Sequence, residues 1–199
     1  MIAKTEHLWK EKADAKFLDE VFSIPGGEKI RACIQCGTCS GSCIMSPDMD
    51  YSPRQIFAMA KAGYKDAVLS SRAIWLCTAC YSCGVRCPKE IKITELMYKL
   101  KQLSLKYGLK DPKEKRTPVL MTNFVDVVHK YGRSHELGLL TRYFLKTGPF
   151  HALSYLGLGL RLLTHGRMPL FGKRIAGIEE VRTIMEYCLK KEGKVHGQN

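Results

Sequence analysis

Two stretches of the chain carry four cysteines each at one spacing. The first reads Cys33-Ile-Gln-Cys36-Gly-Thr-Cys39-Ser-Gly-Ser-Cys43; the second reads Cys77-Thr-Ala-Cys80-Tyr-Ser-Cys83-Gly-Val-Arg-Cys87, followed by Pro88. Both are C-x2-C-x2-C-x3-C, the run that ligates 4Fe–4S clusters in bacterial two-cluster ferredoxins. Three thiolates at three-residue steps on a tight loop reach three corners of an iron–sulfur cube. The fourth corner faces away from the loop and needs a remote donor. In two-cluster ferredoxins the last cysteine of each run serves the other run's cluster. The spacing therefore predicts two 4Fe–4S clusters. One is held by Cys33, Cys36, Cys39 and Cys87, the other by Cys77, Cys80, Cys83 and Cys43.

Competing chemistries fit the spacing poorly. Zinc sites use separated C-x2-C pairs rather than three cysteines with a fourth close behind. A disulfide framework is out of place in a reducing compartment, and nine cysteines leave one unpaired. The first run departs from the pattern in one respect: Ile44 follows Cys43, and the proline comes only at Pro47. Gly37, Gly41 and Gly84 are expected to let backbone N–H groups approach sulfide. Ile34, Ile44, Trp75 and Tyr81 are expected to shield the clusters from water or to pack as ordinary core. Cys188, alone among apolar neighbours, reads as a buried inert thiol.

No other chemistry is legible. There is no Gly-rich phosphate loop, no G-x-G-x-x-G, no adjacent cysteine pair, and the six histidines show no ligand spacing. The chain has a wire for electrons and no evident catalytic residue.

Helical elements must hold these loops. The 199 residues are long enough for one domain or two small ones. Periodicity predicts a helix over 7–22 with Leu8, Phe17, Leu18, Val21 and Phe22 inward, stopped by Ile24-Pro25-Gly26-Gly27. Ser52-Pro53-Arg54-Gln55 is a capping box with proline at the first helical position, and Gly63 is the stop. Lys65 to Leu69 is a short segment, and Ser70 and Ser71 cap a turn through Ile74, Trp75 and Leu76. After Pro88 the reading is helical nearly to the end. Thr94–Tyr107 carries Leu96, Leu100, Leu103 and Tyr107 on one side. A second helix from Thr117-Pro118 carries Leu120, Met121, Phe124, Val125, Val128 and Tyr131. A third spans 134–146 and a fourth 149–163. The last, 177–191, turns Ile178, Val181, Ile184, Met185 and Cys188 inward. The fold class is mainly α: a ferredoxin-like two-cluster module with a helical extension. The expected division is an arm over 1–24, the module over 25–108 and a basic docking extension over 109–199.

Charge divides the same way. Residues 1–88 carry 11 basic and 9 acidic groups, whereas residues 89–199 carry 21 and 10, within a net charge of +13. A basic extension points to solvated helix faces or to acidic partners; no aromatic-and-basic stacking motif supports nucleic acid. No apolar run approaches the roughly 20 residues of a membrane span. The charged amino terminus lacks a signal-peptide core, so a cytoplasmic location is expected.

The segment Ile74-Trp-Leu-Cys77-Thr-Ala-Cys80-Tyr-Ser-Cys83-Gly-Val-Arg-Cys87-Pro88 resembles the C subunit of heterodisulfide reductase, as does Cys33-Ile-Gln-Cys36-Gly-Thr-Cys39. Arg142-Tyr-Phe-Leu-Lys-Thr-Gly-Pro149 and Gly166-Arg-Met-Pro-Leu-Phe171 look similar to the tail of that family. The resemblance implies an electron conduit inside an oxidoreductase complex of anaerobic metabolism, methanogenesis included. One partner, bearing flavin and iron–sulfur clusters, feeds it. It feeds a second partner whose Cys-Cys-Gly motifs hold the clusters that cleave the disulfide. Hydrogenase or formate dehydrogenase joins larger assemblies. The remaining readings are an iron–sulfur subunit of another dehydrogenase and a free ferredoxin. A free ferredoxin is usually small and acidic, and this chain is neither.

Overall fold

The computed structural model describes residues 12–23, 26–109, 116–148, 150–169 and 171–191. Twelve α-helices and two 3-10 turns account for the elements among the described residues, with no strand. The chain divides into two compact units, residues 1–114 and 115–199.

The first unit opens with α1 (Ala15–Phe22). Asp14 caps it by accepting the Phe17 N–H at 2.9 Å, and Lys65 pairs with the same carboxylate at 3.1 Å. Phe17 and Val21 are fully buried, as the periodicity requires. Leu8 and the Ile24-Pro25 stop lie outside the described residues. A 3-10 turn (Gly27–Ala32) leads to the first cysteine loop and α2 (Thr38–Gly41).

A second 3-10 turn (Ser46–Asp48) precedes α3 (Pro53–Ala62), which has the predicted capping box; Gln55 Oε1 accepts the Ser52 N–H at 2.9 Å. Gly63 ends α3 at φ 80°, and a Cβ there would lie 3.2 Å from Ala13. Both conformation and space demand glycine. Next come α4 (Lys65–Leu69), α5 (Arg72–Leu76), the second cysteine loop with α6 (Ser82–Val85), and α7 (Ile93–Tyr107).

Ile56, Phe57, Ala60, Val68, Leu69, Ile74, Trp75, Leu96 and Leu100 build one continuous core with Phe17 and Val21. The two cysteine loops sit on its rim, with Cys33, Cys39, Cys77, Cys83 and Cys87 packed against it.

The second unit is less densely buried. α8 (Arg116–Tyr131) and α9 (Glu136–Thr147) pack together, and Lys146 Nζ donates to Asn123 Oδ1 at 2.9 Å. The third predicted helix begins later than its sequence suggested. The cap is His135: its Nδ1 accepts the Gly138 N–H at 3.1 Å while Nε2 faces the Pro169 carbonyl at 3.2 Å. That arrangement fixes the tautomer with the proton on Nε2. Two further helices of this unit are α10 (Phe150–Ser154) and α11 (Leu156–Thr164). The last, α12 (Ile178–Lys191), meets α8 through Arg182 Nε, which donates to the His129 carbonyl at 3.2 Å.

The expectations for the fourth and the last predicted helix are corrected here. The fourth predicted helix is two, α10 and α11, broken at Tyr155; its predicted opening at Pro149 lies outside the described residues. In α8 the buried residues are Pro118, Asn123 and Val127, while Leu120, Met121, Phe124 and Val125 are exposed. In α12 Ile178 is buried, but Ile184 is exposed, and so is Cys188. The inert-core reading of Cys188 therefore fails: it lies on the outer flank of its helix beside Tyr187.

Candidate metal centre

Each cysteine run is followed by its own helix and shaped by the same backbone turns. Counting from Cys33 and from Cys77, the third and fifth residues of each loop are in the left-handed region. These are Gln35 (φ 57°) and Gly37 (φ 83°) in the first, Ala79 (φ 55°) and Tyr81 (φ 61°) in the second. Three of these four are not glycine. Each such residue costs on the order of 1–3 kcal/mol and persists where its surroundings enforce it. Alternation of right- and left-handed residues turns successive N–H groups to one side, forming a nest for negative charge. The central thiolate of each loop, Cys36 and Cys80, sits between the two left-handed residues. Gly41 and Gly84 have ordinary φ, and a Cβ on either would meet no protein atom within 4 Å, so neither is demanded by the chain's own packing.

Two cavities result. The first is lined by Cys33, Cys36 and Cys39 from one run and by Cys87 from the other. The second is lined by Cys77, Cys80 and Cys83 together with Cys43. In each, the fourth cysteine comes from the other run. Among the described residues no three His, Cys, Asp or Glu side chains converge on a single metal ion. The cysteines instead stand around the walls of a space, the arrangement a polynuclear cluster needs.

Burial grades the ligands from outside to inside. Cys36 and Cys80 are exposed; Cys39 and Cys83 are half-buried in α2 and α6, which pack together. Hydrogen bonds from the Thr38 hydroxyl and N–H hold the Cys36 thiol below its usual range, and the Ser82 N–H and hydroxyl do the same for Cys80. Burial pushes Cys39 up, with help from the neighbouring Cys33 and Cys36. Burial, then Cys77 and Cys39, push Cys83 up to about 11. The packing of α2 on α6 brings the helices that carry Cys39 and Cys83 together. Thiols so raised are poor free thiolates, and iron in place of the proton relieves the penalty.

Around the ligands, Gln35 Nε2 donates to Cys33 Sγ at 3.3 Å, Thr38 Oγ1 lies 3.3 Å from Cys36 Sγ, and Lys101 Nζ donates to the Cys77 carbonyl at 3.0 Å. Thr94 lines the second cavity with its buried hydroxyl, which works against the rise of the Cys83 thiol. Donors aimed at cluster sulfur are a principal means of tuning such a group. Gln35, Thr94 and Lys101 were missed in the sequence, where each looks like an ordinary polar residue. Of the predicted shielding residues only Trp75 is buried; Ile34, Ile44 and Tyr81 line the cavities but are exposed at their mouths.

Residues 29–91 match the 4Fe-4S dicluster domain. Two cavities, each walled by three cysteines of one run and the last cysteine of the other, fit that cofactor class. The chain is also similar to curated relatives from methanogens. It is 35% identical over 115 residues to the C subunit of the H(2):CoB-CoM heterodisulfide,ferredoxin reductase of Methanothermobacter thermautotrophicus, covering 58% of this chain and 62% of that one. It is 42% identical over 81 residues to an iron-sulfur C subunit of the CoB--CoM heterodisulfide reductase of Methanocaldococcus jannaschii, covering 41% and 43%. The C subunit of the ferredoxin:CoB-CoM heterodisulfide reductase of Methanosarcina mazei is 37% identical over 95 residues, covering 48% and 58%. The chain thus spans at most 62% of the length of these three relatives. No helix among the described residues is long and apolar enough to cross a membrane.

Proposed function

We propose that the chain is the electron-transfer subunit of a heterodisulfide reductase-like complex in the cytoplasm. In this reading it relays electrons from a flavin-bearing subunit to a disulfide-reducing subunit with Cys-Cys-Gly motifs. The observation that carries it is the pairing of two four-cysteine cavities whose inner helices, α2 and α6, pack together and whose outer cysteines, Cys36 and Cys80, are exposed. A relay needs this: an edge for arrival, an edge for departure and a short internal gap. When bound, the two 4Fe–4S clusters supply one-electron chemistry. Cys33, Cys36, Cys39 and Cys87 hold one, and Cys77, Cys80, Cys83 and Cys43 the other. The α2–α6 contact keeps the inner ligands adjacent. The names of the three relatives, each the C subunit of a heterodisulfide reductase, support the choice of complex.

The module over 25–108 does the relaying, the helical arm before it completes the core, and the extension over 109–199 docks. The second unit buries few apolar side chains, Val127, Met168 and Ile178 among the described residues. It exposes Phe150 at 86%, Leu145 at 71% and Leu156 at 69%. A freely diffusing carrier has no use for such a surface, whereas a permanent interface is built from apolar anchors with charged rims. Residues 137–178 contain six basic and no acidic residues, so the partner face is acidic at its rim.

Anaerobic purification tests the proposal. The full chain is expected to hold about eight irons and eight sulfides as two 4Fe–4S clusters. It should pass electrons from dithionite to a dye, and reduce a heterodisulfide only with the Cys-Cys-Gly subunit present. Zinc in place of iron, or disulfide reduction by the chain alone, would overturn it.

A further inference from the structure

The two halves of the cysteine module are repeats, and one lysine breaks their equivalence. The ligands of the two runs correspond at a constant offset, Cys33 to Cys77, Cys36 to Cys80 and Cys39 to Cys83. The helices that follow correspond at a slightly shorter one. Arg54 on α3 lines the first cavity where Thr94 on α7 lines the second; Phe57 and Met97 pair in the same way one turn later. Two turns on stand Lys61 and Lys101. Lys61 is exposed, and its Nζ reaches the carbonyl of Arg31, two residues before the first ligand, at 2.9 Å. Lys101 is only 6% exposed, and its Nζ reaches the carbonyl of the ligand Cys77 itself at 3.0 Å.

A buried ammonium without a counter-ion is costly. Lys101 makes no ion pair among the described residues; burial holds its ammonium below the usual lysine range, and the Cys77 thiolate beside it works the other way. The negative charge that balances it is that of the thiolates and whatever they hold. Adding an electron to the second site places further negative charge beside a cation in a low-dielectric setting, where the attraction is little screened. The first cavity has cations too, Arg54 and Lys89, but both are exposed, and water and salt screen them. The hydroxyl of Thr94, 2% exposed, adds a buried donor to the second cavity where the first has the exposed Arg54.

We propose that Lys101 makes the site of Cys77, Cys80, Cys83 and Cys43 the more readily reduced of the two, so that the relay runs from the Cys36 edge toward the Cys80 edge. This rests on the two-cluster reading above. Lys101 acts as a positioning residue through a fixed charge; no bond forms and no proton moves when an electron arrives.

The test is a dithionite titration of the full chain at pH 7, followed by electron paramagnetic resonance, with iron counted in every sample. The wild type should show two midpoints. Lys101→Met should lower the higher one and leave the other, Lys101→Arg should leave both, and Lys61→Met should move neither. Cys80→Ser should alter the signal of the midpoint that Lys101→Met lowers. If the methionine variant loses iron, Lys101→Gln, which retains a donor to the Cys77 carbonyl, is titrated instead. The wild type gives a second readout: added salt should shift the lower midpoint, set by exposed charges, more than the higher. Full iron content with an unmoved higher midpoint in the neutral variant overturns the inference, as do equal salt shifts. A wild type that binds no iron overturns the two-cluster reading instead.

Discussion

Asp50 Oδ1 accepts the backbone N–H of Ala73 at 2.8 Å, joining the segment that leaves the first cysteine run to the helix that delivers the second. The same carboxylate accepts from Ser71 Oγ at 2.9 Å and from the Arg72 N–H at 3.0 Å. It thereby satisfies the free N–H groups at the start of α5 and favours the positive end of that short helix. α5 ends at Leu76, so Cys77 starts where this clamp puts it. Asp50→Ala should cost about 2–4 kcal/mol, the loss of several hydrogen bonds to a charged acceptor. Thermal unfolding followed by circular dichroism measures the loss. Iron of the second site should be lost at lower temperature than iron of the first, and loss of both sites together would show that the clamp is not local.

Asp50 also marks where sequence reading stops. Capping by Ser52 and Gln55, the Gly63 stop and the Ser71 cap are local signals, and each appears where its residue type places it. The cysteine runs are equally local, and the cysteines line two cavities in the grouping that the ferredoxin rule leads one to expect. Asp50 acts across more than twenty positions and leaves no mark in its own neighbourhood. Lys101 shares a helix stripe with Thr94, Met97 and Ser104, all buried. A lysine on such a stripe is a signal, but not for what it contacts. In the second unit, apolar periodicity marked the correct helices and the wrong faces: Leu120, Met121, Phe124 and Val125 are patterned as a core and stand exposed. Hydrophobic periodicity records that a face is covered, not whether the chain's own residues cover it.

The ligand partition predicts unequal effects from equivalent cysteines. Cys36→Ser should damage the first site and Cys80→Ser the second, each lowering iron by up to half and removing one resonance signal. Cys43→Ser should act on the second site and Cys87→Ser on the first, because these two residues cross over. Cys188→Ser should leave iron unchanged, since Cys188 lies on an exposed flank of α12 outside both cavities. If Cys43→Ser and Cys33→Ser deplete the same signal, the partition is wrong.

Glu20 and Tyr107 tie α1 to the end of α7 and predict the pH dependence of the first unit. The Tyr107 hydroxyl donates to Glu20 Oε2 at 2.9 Å, and Lys106 pairs with the same carboxylate. Burial, then the Glu20 acceptor and its charge, push the phenol from 10.0 up to about 12. The folded state therefore holds this proton more tightly than the unfolded chain. Its contribution is whole below about pH 10 and is lost as pH rises through about 12. Burial pushes Glu20 up, but hydrogen bonds from Lys106 and Tyr107 outweigh it and leave the carboxyl below 4.5. That contribution is present above pH 4.5 and is lost as pH falls through the lowered value. Glu20→Gln should cost about 1–2 kcal/mol near neutrality and bring the late-titrating tyrosine back toward its ordinary range. Tyrosinate absorbance during an alkaline titration reads this directly; a wild type with no tyrosine titrating late contradicts it.

The last prediction concerns the division at residues 114 and 115. The core that carries the cysteine loops lies entirely within the first unit, from Phe17 to Leu103, with Leu105, Tyr107 and Leu109 packed against it. Ser104 Oγ donates to the Leu109 carbonyl and closes the end of α7. A chain ending at Glu114 keeps all of these contacts. It should fold, bind the same iron per molecule and show both midpoints. It should also lose the partner subunits, because the exposed faces of α8, α10 and α11 leave with the second unit. Gel filtration with the partners at moderate salt separates the cases. Charge guides approach and apolar anchors hold, so salt should slow association of the full chain without dissolving the complex. Co-elution of the truncated form with both partners would assign docking to the exposed Ile34, Ile44, Tyr81 and Val85 around the cysteine loops instead.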